Sequence, residues 1–315
     1  MEPRIYNTTR GAAAWLQKQS SQAALFAGDC SSLFRALPPN SVDLIVTSPP
    51  YCMGKAYENG ERDVDSFVDA HRTILPLAID VLKPGASMCW QLGYHVRQGV
   101  CTPLDYLVLR EMEQYKTMFL RNRIAWTFGH GLHANTRFSG RHETVLWFTK
   151  GKEYKFNLDA VRVVQKYQGK RSSKGLRKGE PSGNPNGKNP SDVWEMPNVN
   201  SNHVEKTEHP CQFPIGLAQR LVRCLTPVDG VVLDPFCGVG SAGAAALIEG
   251  RRFLGAELDS QYVEIAATRM RLAAKGKLPY RPADRAVHIP EVDHKVVKRP
   301  DGFAVPYVNR SGTKS

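Results

Sequence analysis

The sequence predicts an α/β fold, a sheet domain interrupted by an insert, and three observations carry that prediction. Apolar runs of strand length alternate with segments of helical period in both halves of the chain. One of these runs, at 230–233, leads into a Gly-x-Gly turn and a helix of small residues. Positive charge gathers in one central stretch that has neither period: residues 150–190 hold eleven Lys/Arg against three Asp/Glu, a local +8 of a total +12.

Each element follows from its residues. Residues 23–28 form an apolar strand, 30–37 a short helix, and 42–46 an apolar strand with a single acid, Asp43. The run Thr47-Ser48-Pro49-Pro50-Tyr51 ends that strand, because proline has no N–H for the ladder. From 63 to 82, Phe67, Ala70, Ile74, Leu75, Ala78 and Val81 recur at helical spacing, Lys83-Pro84-Gly85 is read as a stop, and 87–92 as a strand. Residues 104–115 predict a helix, and 124–128 and 144–149 two strands joined by a polar loop at 129–141. After the insert come a helix at 215–225, a strand at 230–233, a helix at 241–249, a strand at 252–257 and a helix at 260–274. The organisation is thus a first half-domain at 20–150, an insert at 151–205, a second half of the same domain at 206–275, and an extended, Pro-rich and charged arm at 276–315.

The chain has 315 residues, 42% hydrophobic and 23% charged, and its 42 Lys/Arg exceed its 30 Asp/Glu, a balance suited to a polyanion such as nucleic acid. No run of eighteen apolar residues occurs, so neither a membrane span nor a secretory signal is expected. The seven cysteines form no CxxC pair; they read as reduced thiols of a cytoplasmic protein, without a metal site.

Two segments carry chemistry. The strand that runs into Asp234-Pro235-Phe236-Cys237-Gly238-Val239-Gly240-Ser241 lets backbone approach a ligand at the strand's carboxyl end. Twenty-three residues past Asp234, the next strand ends in Glu257, a carboxylate able to accept from both hydroxyls of a ribose. Neither the phosphate-loop spacing with its lysine nor GxGxxG is present, so the pattern favours a nucleoside. The other segment, 43–51, sets a hydroxyl, a proline-stiffened turn and an aromatic ring at a strand's edge. A carbonyl of the turn and the Ser48 hydroxyl can accept from the amine of a planar base while Tyr51 stacks on its face.

TSPPY at 47–51 with DPFCGVGS at 234–241 resembles the S-adenosylmethionine-dependent DNA amino-methyltransferases, which methylate cytosine N4 or adenine N6. The order, catalytic motif first and cofactor motif last, is similar to their permuted beta class over about residues 20–275. The resemblance implies a doubly wound mixed sheet of the Rossmann-like methyltransferase type, with an inserted DNA-recognition region. It implies S-adenosylmethionine as cofactor, with Asp234, Pro235, Phe236, Gly238 and Gly240 cradling its methionine part and Glu257 holding its ribose. Asp29 would face the adenine amine, and Phe213, in the segment after His209-Pro210, would close over the methionine end. Ser48, Pro49, Pro50 and Tyr51 would form the catalytic pocket, and base flipping would bring the target there. Ser before Pro-Pro-Tyr leans toward cytosine N4; adenine N6 stays open. His142-Glu143 matches a recurrent pair of the branch and receives no chemical role.

The insert's Lys166, Lys170, Arg171, Lys174, Arg177 and Lys178, interleaved with Tyr154, Phe156 and Tyr167, are the expected contacts to double-stranded DNA. Trp194 is expected to pack the insert onto the core, and the loops 54–62 and 129–141 to clamp the flipped base. Cytosine C5 methylation is disfavoured, because Pro210-Cys211 precedes the cofactor strand and leaves TSPPY unexplained. An RNA methyltransferase, a binding module without catalysis, a partner restriction endonuclease and a homodimer stay open.

Overall fold

The computed structural model describes residues 2–18, 21–51, 63–129, 131, 133–165, 170–182 and 184–284. In chain order the strands are β1 (Arg4–Tyr6), β2 (Ala23–Ala27), β3 (Val42–Thr47), β4 (Leu82–Leu92), β5 (Tyr94–Arg97), β6 (Val100–Pro103), β7 (Met118–Thr127), β8 (His142–Lys150), β9 (Val193–Glu195), β10 (Val231–Asp234) and β11 (Arg252–Glu257). The helices are α1 (Thr9–Gln17), α2 (Cys30–Ala36), α3 (Val64–Val81), α4 (Leu104–Met112), α5 (Ile215–Leu225), α6 (Ser241–Ile248) and α7 (Ser260–Ala274).

β3 and β10 are buried at every position, the condition of parallel strands covered on both faces, and this is why they read as unbroken apolar runs. Period-2 alternation sends Leu44 and Val46 into the layer under α5, α6 and α7, and Ile45 into the layer that holds Trp15, Phe67, Leu75 and Val108 of α1, α3 and α4. The sheet has nine strands in the order β1-β2-β11-β10-β3-β4-β8-β7-β9. Pairing is parallel from β1 to β4 and antiparallel at β4·β8 and β8·β7, so the sheet is mixed, as expected. The chain leaves β10 toward β11 and β3 toward β4, so the crossovers diverge between β10 and β3 and open a crevice at their carboxyl ends.

The structure departs from the sequence reading in four places. β1 and α1 lie ahead of residue 20 yet belong to the sheet domain. β1 pairs with β2, and Trp15 of α1 is fully buried, its Nε1 donating to Ser21 Oγ at 2.8 Å while the Arg252 guanidinium lies 4.4 Å over its ring. The helix ends at Val81, just before Lys83-Pro84-Gly85, but the strand expected from 87 already begins at Leu82: β4 runs through these three residues, Gly85 takes a φ of +76° and the register with β3 shifts between Val42 and Leu44. The buried Asp43 explains that end of the sheet, since its Oδ2 accepts from Lys83 Nζ at 2.7 Å and from Val231 N at 2.9 Å. Polar residues such as Arg121, Asn122 and Arg123 hid the first half of β7, which runs along a half-exposed face. Finally, β5 and β6 form a hairpin whose turn has positive φ at both Gln98 and Gly99.

The insert is tied to the sheet as expected of Trp194. β9 adds to β7 in parallel, and the buried Trp194 donates to Ser191 O at 2.8 Å under the Arg220 guanidinium. The start of the C-terminal arm packs on α5, Ala283 N donating to Gln219 Oε1 at 3.2 Å and Arg220 to Ala283 O at 2.9 Å. From 285 onward the arm lies outside the described residues, as does the loop 54–62.

Candidate active site

A cleft of about 990 Å³ opens over the carboxyl ends of the parallel strands and gathers both motifs. Ser48 to Tyr51 border it from the turn after β3, Pro235 to Gly238 from the turn after β10, Gly28 and Asp29 from the end of β2, and Glu257 from the end of β11.

The half built on β10 and β11 is a preformed cradle. Gly238 and Gly240 take φ of +50° and +77°, and a Cβ at Gly240 would stand 3.0 Å from Ala266 Cβ, so the turn needs glycine for conformation and for space. Glu257 is fixed by the same turn: its Oε2 accepts from Gly238 N at 2.8 Å and its Oε1 from Asp259 N at 2.9 Å. Each oxygen keeps a second lone pair. Asp234 is placed differently from the sequence expectation, since it is fully buried and lies outside the cleft lining. Its Oδ1 accepts from Phe236 N at 3.1 Å and from Thr47 Oγ1 at 2.5 Å, and burial pushes its carboxyl up to about 7. Asp234 therefore braces the turn that Pro235 and Phe236 present. Asp29 caps α2, with Oδ1 accepting from Ser32 N at 3.0 Å, and borders the cleft.

The segment before α5 closes the same end. Phe213 is buried in the cleft wall, and His209 packs on Tyr262 with ring centroids 4.7 Å apart. His209 Nδ1 accepts from Cys211 N at 3.2 Å, so the proton sits on Nε2, the atom that a Cβ on Gly238 would meet at 3.2 Å. Burial, with Lys206 and Arg269 nearby, pushes this imidazole down to about 4.

In the half built on β3 and β4, Ser48 Oγ donates to Tyr51 Oη at 3.4 Å, and Tyr51 Oη donates to Gln91 O at 3.4 Å. Burial, then the Glu143 carboxylate, pushes the Tyr51 phenol well above its ordinary range. Gln91 Nε2 in turn donates to Glu143 Oε2, and Glu143 borders the cleft from the start of β8.

Comparison with known proteins identifies this arrangement. The sequence pattern of the N6/N4-type DNA methylase family matches residues 42–268, more than half of the chain. The chain belongs to that DNA methylase family. The methylase is 46% identical over 243 residues to the type II methyltransferase M.BglII of Bacillus subtilis, covering 77% of this chain and 67% of the relative. Its fold matches the PvuII DNA methyltransferase (cytosine-N4-specific) with a TM-score of 0.62 at 22% identity, over 83% of this chain and 94% of that one. It also matches TTHA0409 of Thermus thermophilus, a putative DNA modification methylase complexed with S-adenosyl-L-methionine, with a TM-score of 0.56 at 25% identity, over 80% and 96% of the two chains.

The cofactor of the methylase is S-adenosylmethionine, and the cradle fits it. Glu257 offers carboxylate lone pairs at a strand end, Gly238 brings backbone to the cleft while Gly240, outside the lining, shapes the turn behind it, and a neutral His209 adds no positive charge to a cleft that would take a sulfonium. Among the described residues no group of three or more His, Cys, Asp or Glu is placed to hold a metal ion, and no helix is long and apolar enough to cross a membrane.

Of the six insert cations expected to contact DNA, Lys166 lies outside the described residues. Lys170, Arg171, Lys174, Arg177 and Lys178 are exposed on a small lobe closed by Ser182 N donating to Lys170 O at 2.7 Å and Gly179 N to Ser172 O at 2.8 Å. Arg171 donates to Gly179 O at 2.6 Å, and Arg177 pairs with Glu180 at 3.0 Å. None of the five borders the cleft. In the loop 129–141, by contrast, Gly131, Arg137 and Gly140 do, and Phe138 beside them is 98% exposed. Sequence reasoning missed Thr47 as a brace, Gln91, Glu143 and Tyr262; the first three meet their partners across paired strands and Tyr262 meets His209 where α7 packs on the segment before α5, neither of which one sequence displays.

Proposed function

We propose that this methylase transfers the methyl group of S-adenosylmethionine to N4 of a cytosine flipped out of double-stranded DNA at a specific site. The observation that carries the choice of base is Ser48, a neutral hydroxyl at the head of the Pro-Pro-Tyr turn, which in this family leans toward cytosine. When bound, the cofactor supplies a methyl group on a positively charged sulfur. Glu257 accepts from the ribose hydroxyls with the lone pairs its backbone partners leave, and Pro235, Phe236 and Phe213 wall the methionine end. The Tyr51 ring stacks on the base, and the Ser48 hydroxyl with a carbonyl of the turn accepts from the amine, holding its lone pair in line with the methyl carbon. No covalent enzyme intermediate is required.

The exposed cations of the insert lobe neutralise phosphates, and the loop 129–141 closes on the extruded base. The relative named as a type II methyltransferase supports a role in site-specific modification, in the cytoplasm where the DNA lies. The test is to incubate the protein with duplex DNA of mixed sequence and labelled S-adenosylmethionine, digest to nucleosides and identify the labelled one by mass spectrometry. N4-methylcytosine is the expected product. N6-methyladenine would keep the mechanism and overturn the base.

A further inference from the structure

Four acidic residues border the cleft among the described residues: Asp29, Glu257, Asp259 and Glu143. The first three stand at or just past the ends of β2 and β11, in the cofactor half. Of the four, Glu143 alone stands beside the catalytic turn. A Cβ on Gly93 would lie 3.1 Å from both Glu143 Oε1 and Tyr51 Cε2, so glycine at 93 lets the carboxylate and the ring approach each other. Its other oxygen is oriented by Gln91 Nε2, and the Gln91 carbonyl also receives Tyr51 Oη. One residue of β4 thus fixes both the ring on which the base would stack and the acid, leaving Glu143 Oε1 beside that ring.

Resting on the assignment of Ser48 to Tyr51 as the base pocket, we propose that Glu143 takes the proton that the target amine releases on methylation. The amine lone pair forms the N–C bond to the methyl carbon, and the C–S bond breaks with its electron pair staying on sulfur. The N–H bond then breaks with its pair staying on nitrogen, and the proton goes to Glu143 Oε1 and on to solvent after product leaves. Neither hydroxyl of the motif serves as the base. Ser48 is an alcohol, and the Tyr51 phenol is held protonated by burial and by Glu143 itself. Burial pushes the Glu143 carboxyl up to about 7, a match for proton uptake near neutral pH. Among the described residues, the other titratable and charged groups bordering the cleft on this side are Tyr51, Tyr94, Arg137, His142 and Cys211.

Single-turnover methyl transfer on duplex DNA, followed against pH, tests this with Glu143→Gln, which keeps the shape and a hydrogen-bonding partner for Gln91, and with Glu143→Asp, which keeps the carboxylate. Glu143→Gln is expected to slow the step by about 100-fold or more and to lose the rise of rate with pH that the wild type shows, while cofactor and DNA affinity stay unchanged. Glu143→Asp is expected to recover part of the rate and the pH dependence. A Glu143→Gln rate within about threefold of wild type, or a pH dependence that persists there and vanishes in His142→Gln, overturns the proposal. The product separates the two readings. A wild-type methyl group on any atom other than an exocyclic amine removes the base-pocket assignment and this proposal with it, whereas an amine product with a fast Glu143→Gln removes this proposal alone.

Discussion

Thr47 Oγ1 donates to Asp234 Oδ1 at 2.5 Å, joining the catalytic strand to the cofactor strand across 187 positions of sequence. β3 and β10 are neighbours in the sheet, so the last residue of each reaches the other where both turns begin. The proposed base pocket and the proposed cofactor cradle therefore share one buried hydrogen bond.

Thr47→Val keeps the side-chain volume and removes the donor, leaving a fully buried carboxyl with a single partner at Oδ1. The expected cost is about 1–3 kcal/mol of stability in urea unfolding. Cofactor affinity, measured by calorimetry, should fall with it; an unchanged affinity would mean that the bond does not position the turn.

Tyr51→Ala and Glu257→Ala should separate the two halves of the site. The first is expected to abolish methyl transfer and leave cofactor binding near wild type; the second to weaken cofactor binding by tenfold or more, about 1.4 kcal/mol. Asp234→Ala should not separate them, because Asp234 holds both turns. Binding and single-turnover assays on all three distinguish this arrangement from two independent halves.

Gly240→Ala tests the cradle. With φ at +77° and Ala266 3.0 Å from the new Cβ, the substitution is expected to cost about 1–2 kcal/mol and to reduce cofactor affinity, whereas Gly276→Ala, also at positive φ but in open space, should leave affinity unchanged.

The buried His71 gives the fold an acid-sensitive point. Trp90 Nε1 donates to His71 Nε2 at 3.0 Å, so Nδ1 carries the proton toward Phe67 O at 2.7 Å, and the neutral ring is fully satisfied. Burial lowers its pKa from 6.5 to about 4. A depressed folded pKa means that its contribution is present above about 6.5 and is lost as pH falls through about 4, about 3 kcal/mol in all. Thermal unfolding of wild type against His71→Gln between pH 7 and 4 should show the variant losing less stability.

The insert lobe should act through charge. Lys174→Ala with Lys178→Ala is expected to weaken DNA binding about equally on all sequences and to reduce the slope of log affinity against log salt by about one per lysine. An unchanged slope in a fluorescence-anisotropy titration would move the phosphate contacts elsewhere.

The sheet's central strands, the two motifs and the family were legible in the chain of residues alone, because buried parallel strands and positive-φ turns are written in short-range patterns. Residues 252–257 and 260–274 read directly as β11 and α7 for that reason. The place where positive charge gathers was equally plain. It took folding in three dimensions to set Asp234 beneath the cofactor turn, to stand Glu143 beside Tyr51, and to close the sheet's two edges with β1 and β9. These depend on strand register and on packing between segments distant in sequence. A short edge strand such as β1 or β9, three residues each, carries too little periodicity to announce its partner. A polar residue such as Glu143 shows its surroundings, the Tyr51 ring and the Gln91 amide, only when β4 and β8 are paired.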